Sequence, residues 1–75
     1  MDIIYNNKVL YVNINDEINF NLIKSLHNRI NAIISTYHIA NVEINILNNT
    51  HYDKILLYDV IEDIHNKYKT VFKIK

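Results

Sequence analysis

The amino-acid sequence predicts an α/β fold: a two-layer ββαβαβ domain with a mostly parallel four-stranded sheet and both helices on one face. Three observations carry this expectation. Apolar residues alternate at period two in four short segments and recur at helical spacing in two longer ones. The two kinds of segment take turns after an opening pair of strands. Strands joined through a helix are normally parallel, and a sheet that grows in one direction keeps its helices on the same side.

Residues 2–14, DIIYNNKVLYVNI, read as a hairpin whose two apolar runs flank Asn6 and Asn7, residues that tolerate the positive φ of a tight turn. In its second strand Leu10, Val12 and Ile14 share one side, and Val9, Tyr11 and Asn13 the other. Residues 15–39 read as a helix. Leu22, Ile23, Leu26, Ile30, Ile33, Ile34 and Tyr37 fall on one stripe, with Asn21, Lys24, Asn28, Asn31 and Ser35 opposite. VEINIL, residues 42–47, is a third strand in which Val42, Ile44 and Ile46 alternate with Glu43 and Asn45.

A second helix is expected from near Thr50, where Thr50 and Asp53 have the spacing of a capping box with Asp in place of Glu or Gln. Its inner stripe is Leu57, Val60, Ile61, Ile64 and Tyr68. TVFKIK, residues 70–75, closes the sheet with Thr70, Phe72 and Ile74 on one side and Val71, Lys73 and Lys75 on the other. One sheet face is therefore apolar, while the other carries Asn13, Glu43, Asn45, Lys73 and Lys75 and is expected to be wet. No repeat, linker or boundary divides the 75 residues, so a single domain is expected.

Composition narrows the function classes. The chain is 49% hydrophobic and 21% charged, too apolar for a disordered segment. Its formal net charge is zero, which argues against general affinity for nucleic acid or anionic membrane. A nucleic-acid surface built on Tyr11 and Lys73 of the polar sheet face is electrostatically weak. With no cysteine, neither a disulfide framework nor a thiolate metal site can form. No apolar run approaches the roughly 18 residues of a membrane span, and MDIIYNNK lacks a basic signal-peptide start, so the expected compartment is the cytoplasm. Glycine and proline are both absent.

Catalytic and metal chemistry find little footing. His27, His38, His51 and His65 form no His-x-x-x-His pair and have no carboxylate at a zinc-like spacing. Ser25 and Ser35 lie on the polar side of the first helix, and Ser25 and His27, two apart, point in different directions. No cofactor and no small-molecule substrate are expected. The second helix is distinctive because Ile55, Leu56 and Tyr58 widen its apolar arc beyond what one sheet can cover. Ile55, Tyr58 and Glu62, on its outward side, are thereby marked as a candidate protein interface.

Several of these segments resemble the first half of the ClpP serine peptidase core, within the crotonase-like group. The family's Ile-Asn-Asp-Glu-Ile-like helix start is matched by residues 14–18, its Ile-Asn strand end by Ile44-Asn45, and its Ile-Tyr-Asp helix motif, in phase, by Leu57-Tyr58-Asp59. KTVFKI falls where the family's next strand begins, so the resemblance spans roughly residues 9 to 75. It implies a strand-to-helix elbow at Asn48, Asn49 and Thr50, where the family has a Ser-Pro-Gly-Gly-Ser turn.

There the departures matter. The family's glycine pair, whose N–H groups hold a substrate oxyanion, aligns with Asn48 and Asn49, whose side chains would crowd a bound carbonyl. The family's nucleophile, histidine and acid come from segments after those matched here. The resemblance thus implies a non-catalytic, truncated relative that works by self-association or by docking on a partner or host protein, with size and composition that suit a small viral or mobile-element protein. A competing resemblance is to STAS-like regulatory domains, in which Thr50 becomes a phosphorylatable residue at a helix start, although the Asp-Ser-Ser-Gly-like motif of that family is missing.

Overall fold

The computed structural model describes residues 1–47, 52 and 54–75. Its elements run β1 (Asp2–Asn6), β2 (Val9–Ile14), α1 (Phe20–Tyr37), β3 (Asn41–Ile46), α2 (Lys54–Tyr68) and β4 (Val71–Ile74). The four strands form one sheet in the order β1-β2-β3-β4, with β1 antiparallel to β2 and the other neighbours parallel. The expected α/β class, element order and sheet are therefore those of the molecule.

The register lines up rows of apolar side chains beneath the helices. Leu10, Val42 and Phe72 make one row, and Val12, Ile44 and Ile74 the next. Against them pack Ile23, Leu26, Ile30 and Ile34 of α1 and Leu57, Val60 and Ile64 of α2, forming one continuous core. Helices and core thus share one sheet face, which leaves the other to the polar rows.

Four details differ from expectation, and each has a physical cause. The hairpin turns on Asn7 and Lys8, both at positive φ (50° and 66°), with Asn6 opposite Val9 as the closing pair. This register sets Tyr5 against Leu10 and Ile3 against Val12, apolar on apolar. A turn on Asn6 and Asn7 would set Lys8 against Tyr5 on the core side.

The first helix begins at Phe20, not within residues 15–19. The Asn19 side chain accepts the Leu22 N–H at 2.9 Å and caps it. Ile18, just before the cap, and Ile23 are both in the core, the pair of positions that staples a helix entry.

Tyr37 was expected on the inner stripe but is 72% exposed. The helix closes there, with His38 in the left-handed conformation (φ 54°, ψ 50°), and Ile39 takes the core position beyond it.

The polar sheet face is also less wet than its composition implies. Glu43 keeps only 17% of its side chain exposed and meets Lys75 Nζ at 3.1 Å, while Asn45 donates to Asn13 across β3 and β2 at 2.8 Å.

Thr70, on the inner side as expected, is the buried polar residue among those described. Its hydroxyl donates to the Ile39 carbonyl at 2.8 Å, and its own carbonyl lies 2.7 Å from His65 Nδ1. The end of α2, the end of α1 and the start of β4 are tied together through this one residue.

Candidate functional site

The two helices divide their surfaces differently. Outside its buried stripe, the middle of α1 is polar or small, with Lys24, Ser25, Asn28, Arg29 and Ala32 exposed. Its exposed large apolar residues, Phe20 and Tyr37, stand at its two ends, whereas α2 exposes Ile55 (71%) and Tyr58 (52%) within its first two turns, with Glu62 one turn on exposed as well.

Contacts fix which way this surface looks. His27 of α1 meets Asp63 of α2 at 2.9 Å. Leu56, Asp59 and Val60 face Phe20, Ile23 and Lys24 across a groove of about 300 Å³ between the helices. At about 100° per residue, Ile55, Tyr58 and Glu62 then lie on the flank of α2 turned away from α1. The three residues marked in the sequence share one side of one helix, and that side is open.

The elbow residues Asn48, Asn49 and Thr50 lie outside the described residues, as do His51 and the Asp53 end of the expected capping box.

The remaining chemistry-bearing side chains have structural posts. His27 pairs with Asp63, His38 closes α1, and His65 reaches the Thr70 carbonyl. Among the described residues, no three His, Asp or Glu side chains gather to hold a metal ion. Ser35 donates to the Ala32 carbonyl at 3.0 Å. Ser25 is exposed and two residues from His27, which places the two on different sides of α1. The His27–Asp63 pair joins residues 36 positions apart, and no local spacing in the sequence could have shown it.

On the open sheet face the register sets Tyr11, Glu43 and Lys73 side by side. Glu43 therefore stands between the aromatic ring and the cation that a nucleic acid would need together, and it binds Lys75 as well. That carboxylate offsets one of the two lysine charges, Lys73 and Lys75, on this face.

No family model, no curated protein and no solved structure matches this chain. The ClpP-like and STAS-like resemblances accordingly stand on their residues alone. None of the helices among the described residues is long and apolar enough to cross a membrane.

Proposed function

We propose that this chain is a non-catalytic interaction domain, related in plan to the ClpP/crotonase-like core, that binds a protein partner through the outward flank of α2. The carrying observation is the contrast between the helices. Two helices of one small domain cover the same sheet, but α1 exposes its large apolar residues singly at opposite ends, Phe20 and Tyr37, whereas α2 exposes Ile55 and Tyr58 three residues apart on one side of its first turns. Tyrosine is enriched at interface centres because it offers a large, stiff apolar body with a polar tip. Glu62, one turn further along the same flank, supplies a rim charge that orients an approaching partner.

The ClpP-like part of the reading draws support from the ββαβαβ order and from the shared helical face. The non-catalytic part rests on Asn48 and Asn49 at the two positions that align with the family's glycine pair.

Comparing Tyr58→Ala with Thr50→Glu tests the proposal by sedimentation and by capture from an extract of the native host. Truncating an interface tyrosine typically costs about 2 kcal/mol, roughly a 30-fold loss of affinity. Tyr58→Ala should lose the partner to that extent with its circular dichroism spectrum unchanged, and Thr50→Glu should bind as the parent does. The opposite pattern assigns the activity to the helix start, as the STAS-like alternative requires, and refutes docking by α2.

A further inference from the structure

The sheet ends in two edges of opposite character. On one side β4 carries Lys73 and is flanked by Lys69 and Lys75, the kind of charge that discourages strand pairing. On the other, β1 reads Asp-Ile-Ile-Tyr-Asn with no lysine or proline, and its register against β2 runs unbroken without a bulge. Ile4 is 52% and Tyr5 59% exposed. The one charge on β1 is Asp2 at its start, and the central Ile3, Ile4 and Tyr5 carry no charge, proline or bulge against strand pairing.

Its hydrogen bonding fixes what the edge offers. In a two-residue hairpin the closing pair, here Asn6 and Val9, exchanges both main-chain bonds, and bonded pairs then alternate. Ile4–Tyr11 and Asp2–Asn13 are therefore bonded pairs, and Ile3 and Tyr5 aim their N–H and C=O groups outward. No other main-chain bond to those groups is made among the described residues.

We infer that β1 pairs with β1 of a second copy of this chain, antiparallel about a two-fold axis at Ile4, to make a continuous eight-stranded sheet. In that register Ile3 faces Tyr5 of the second copy, Tyr5 faces its Ile3, and the outward groups of both residues meet in two bonded pairs. Ile4 meets its own copy on the open face. Asp2 falls opposite Asn6, so no like charges oppose each other.

The helix side of this edge is also prepared. Ile3, Tyr5 and Leu10 of the hairpin and Ile33, Tyr37 and Ile39 around the end of α1 line an apolar cleft of about 390 Å³. The second copy's Ile3 and Tyr5 arrive at its mouth, where they cover the exposed Tyr37. This surface lies at the opposite sheet edge from α2, so it is independent of the docking proposed above, and the dimer presents two α2 flanks.

The test uses the intact chain. Sedimentation equilibrium from about 10 μM to about 1 mM should show a monomer–dimer equilibrium. Ile4→Lys, which sets two lysines opposite each other at the axis, should weaken it about tenfold or more with an unchanged circular dichroism spectrum. The chain contains no cysteine, so Ile4→Cys should oxidise to a disulfide-linked dimer. The Cα atoms of such a non-bonded antiparallel pair are about 4.5 Å apart, within disulfide reach. Val71→Cys on the β4 edge should stay monomeric under the same oxidation. A monomer throughout the concentration range overturns the inference. So does a dimer that Ile4→Lys leaves intact, and so does one lost on Tyr58→Ala, which would move self-association to α2.

Discussion

Replacing His38 and Lys69 with glycine should stabilise this protein, in contrast to the usual effect of placing glycine inside a helix. Both residues end helices in the left-handed region, at φ 54° and φ 62°. Both also use that geometry: the His38 N–H reaches the Ile34 carbonyl at 2.8 Å and the Lys69 N–H reaches the His65 carbonyl at 2.7 Å. A residue with a Cβ gives up about 1–2 kcal/mol in this conformation, because Cβ crowds the following carbonyl. Glycine removes that cost and keeps the N–H, but its freer unfolded chain takes back about 0.4–1 kcal/mol. The net gain is about 0.5–1 kcal/mol for His38→Gly. It is about 0.3 kcal/mol smaller for Lys69→Gly, which loses a cation near a helix C-terminus. In a domain of this size each kcal/mol moves the melting midpoint by about 4–8 °C. Thermal and urea melts of both variants should be run beside Arg29→Gly, an exposed position inside α1, which should lose about 0.5–1 kcal/mol. Because His38 and Lys69 line the same small cleft, the double variant need not be additive. If His38→Gly and Lys69→Gly both lose stability as Arg29→Gly does, the left-handed helix ends are not a source of strain.

The other expectations concern the core, the open face and the absence of hydrolytic chemistry. Ile30 is fully buried at the centre of α1, so Ile30→Asp should cost more than about 4 kcal/mol, most of a small domain's margin, and appear unfolded by circular dichroism. Glu43→Lys should lose the Lys75 pair and set a lysine directly beside Lys73 of β4, for a total of about 0.5–2 kcal/mol that shrinks in high salt. A cost below about 0.5 kcal/mol, the ordinary scale for a surface change, would mean that the pair does not hold. A serine-reactive fluorophosphonate probe should leave Ser25 and Ser35 unlabelled, and stoichiometric labelling of either would refute a non-catalytic domain.

Much of the fold was legible because periodicity reports burial directly. The stripe Ile23, Leu26, Ile30 and Ile34 and the alternation through Leu10, Val12 and Ile14 reappear as the core. What the sequence concealed lies mostly where two segments meet. The choice between Asn6-Asn7 and Asn7-Lys8 at the turn depends on which residue β2 offers Tyr5, a cross-strand question that propensity does not address. The start of α1 hinges on a cap at Asn19 and on Ile18 finding Ile23, when Asn15 and Asp16 are equally good caps by type. Tyr37 keeps the helical phase of the stripe but lies at the helix end, over a cleft beside the sheet edge. Glu43 alternates outward as expected, yet its partner Lys75 lies just past the end of β4, 32 residues further on. For the candidate interface, phase alone separated Ile55, Tyr58 and Glu62 from the inner stripe. Only the contacts of His27 with Asp63 and of Phe20 with the α2 side of the groove show that they face away from α1.

Amide hydrogen exchange, compared between the free chain and the chain bound to a partner captured from the native host, tests most directly whether the α2 flank is the working surface. Binding there should slow exchange across residues 54–62 and leave the open sheet face around Tyr11 and Lys73 unchanged. Slowing confined to that sheet face or to β1, with residues 54–62 exchanging as in the free chain, would contradict it.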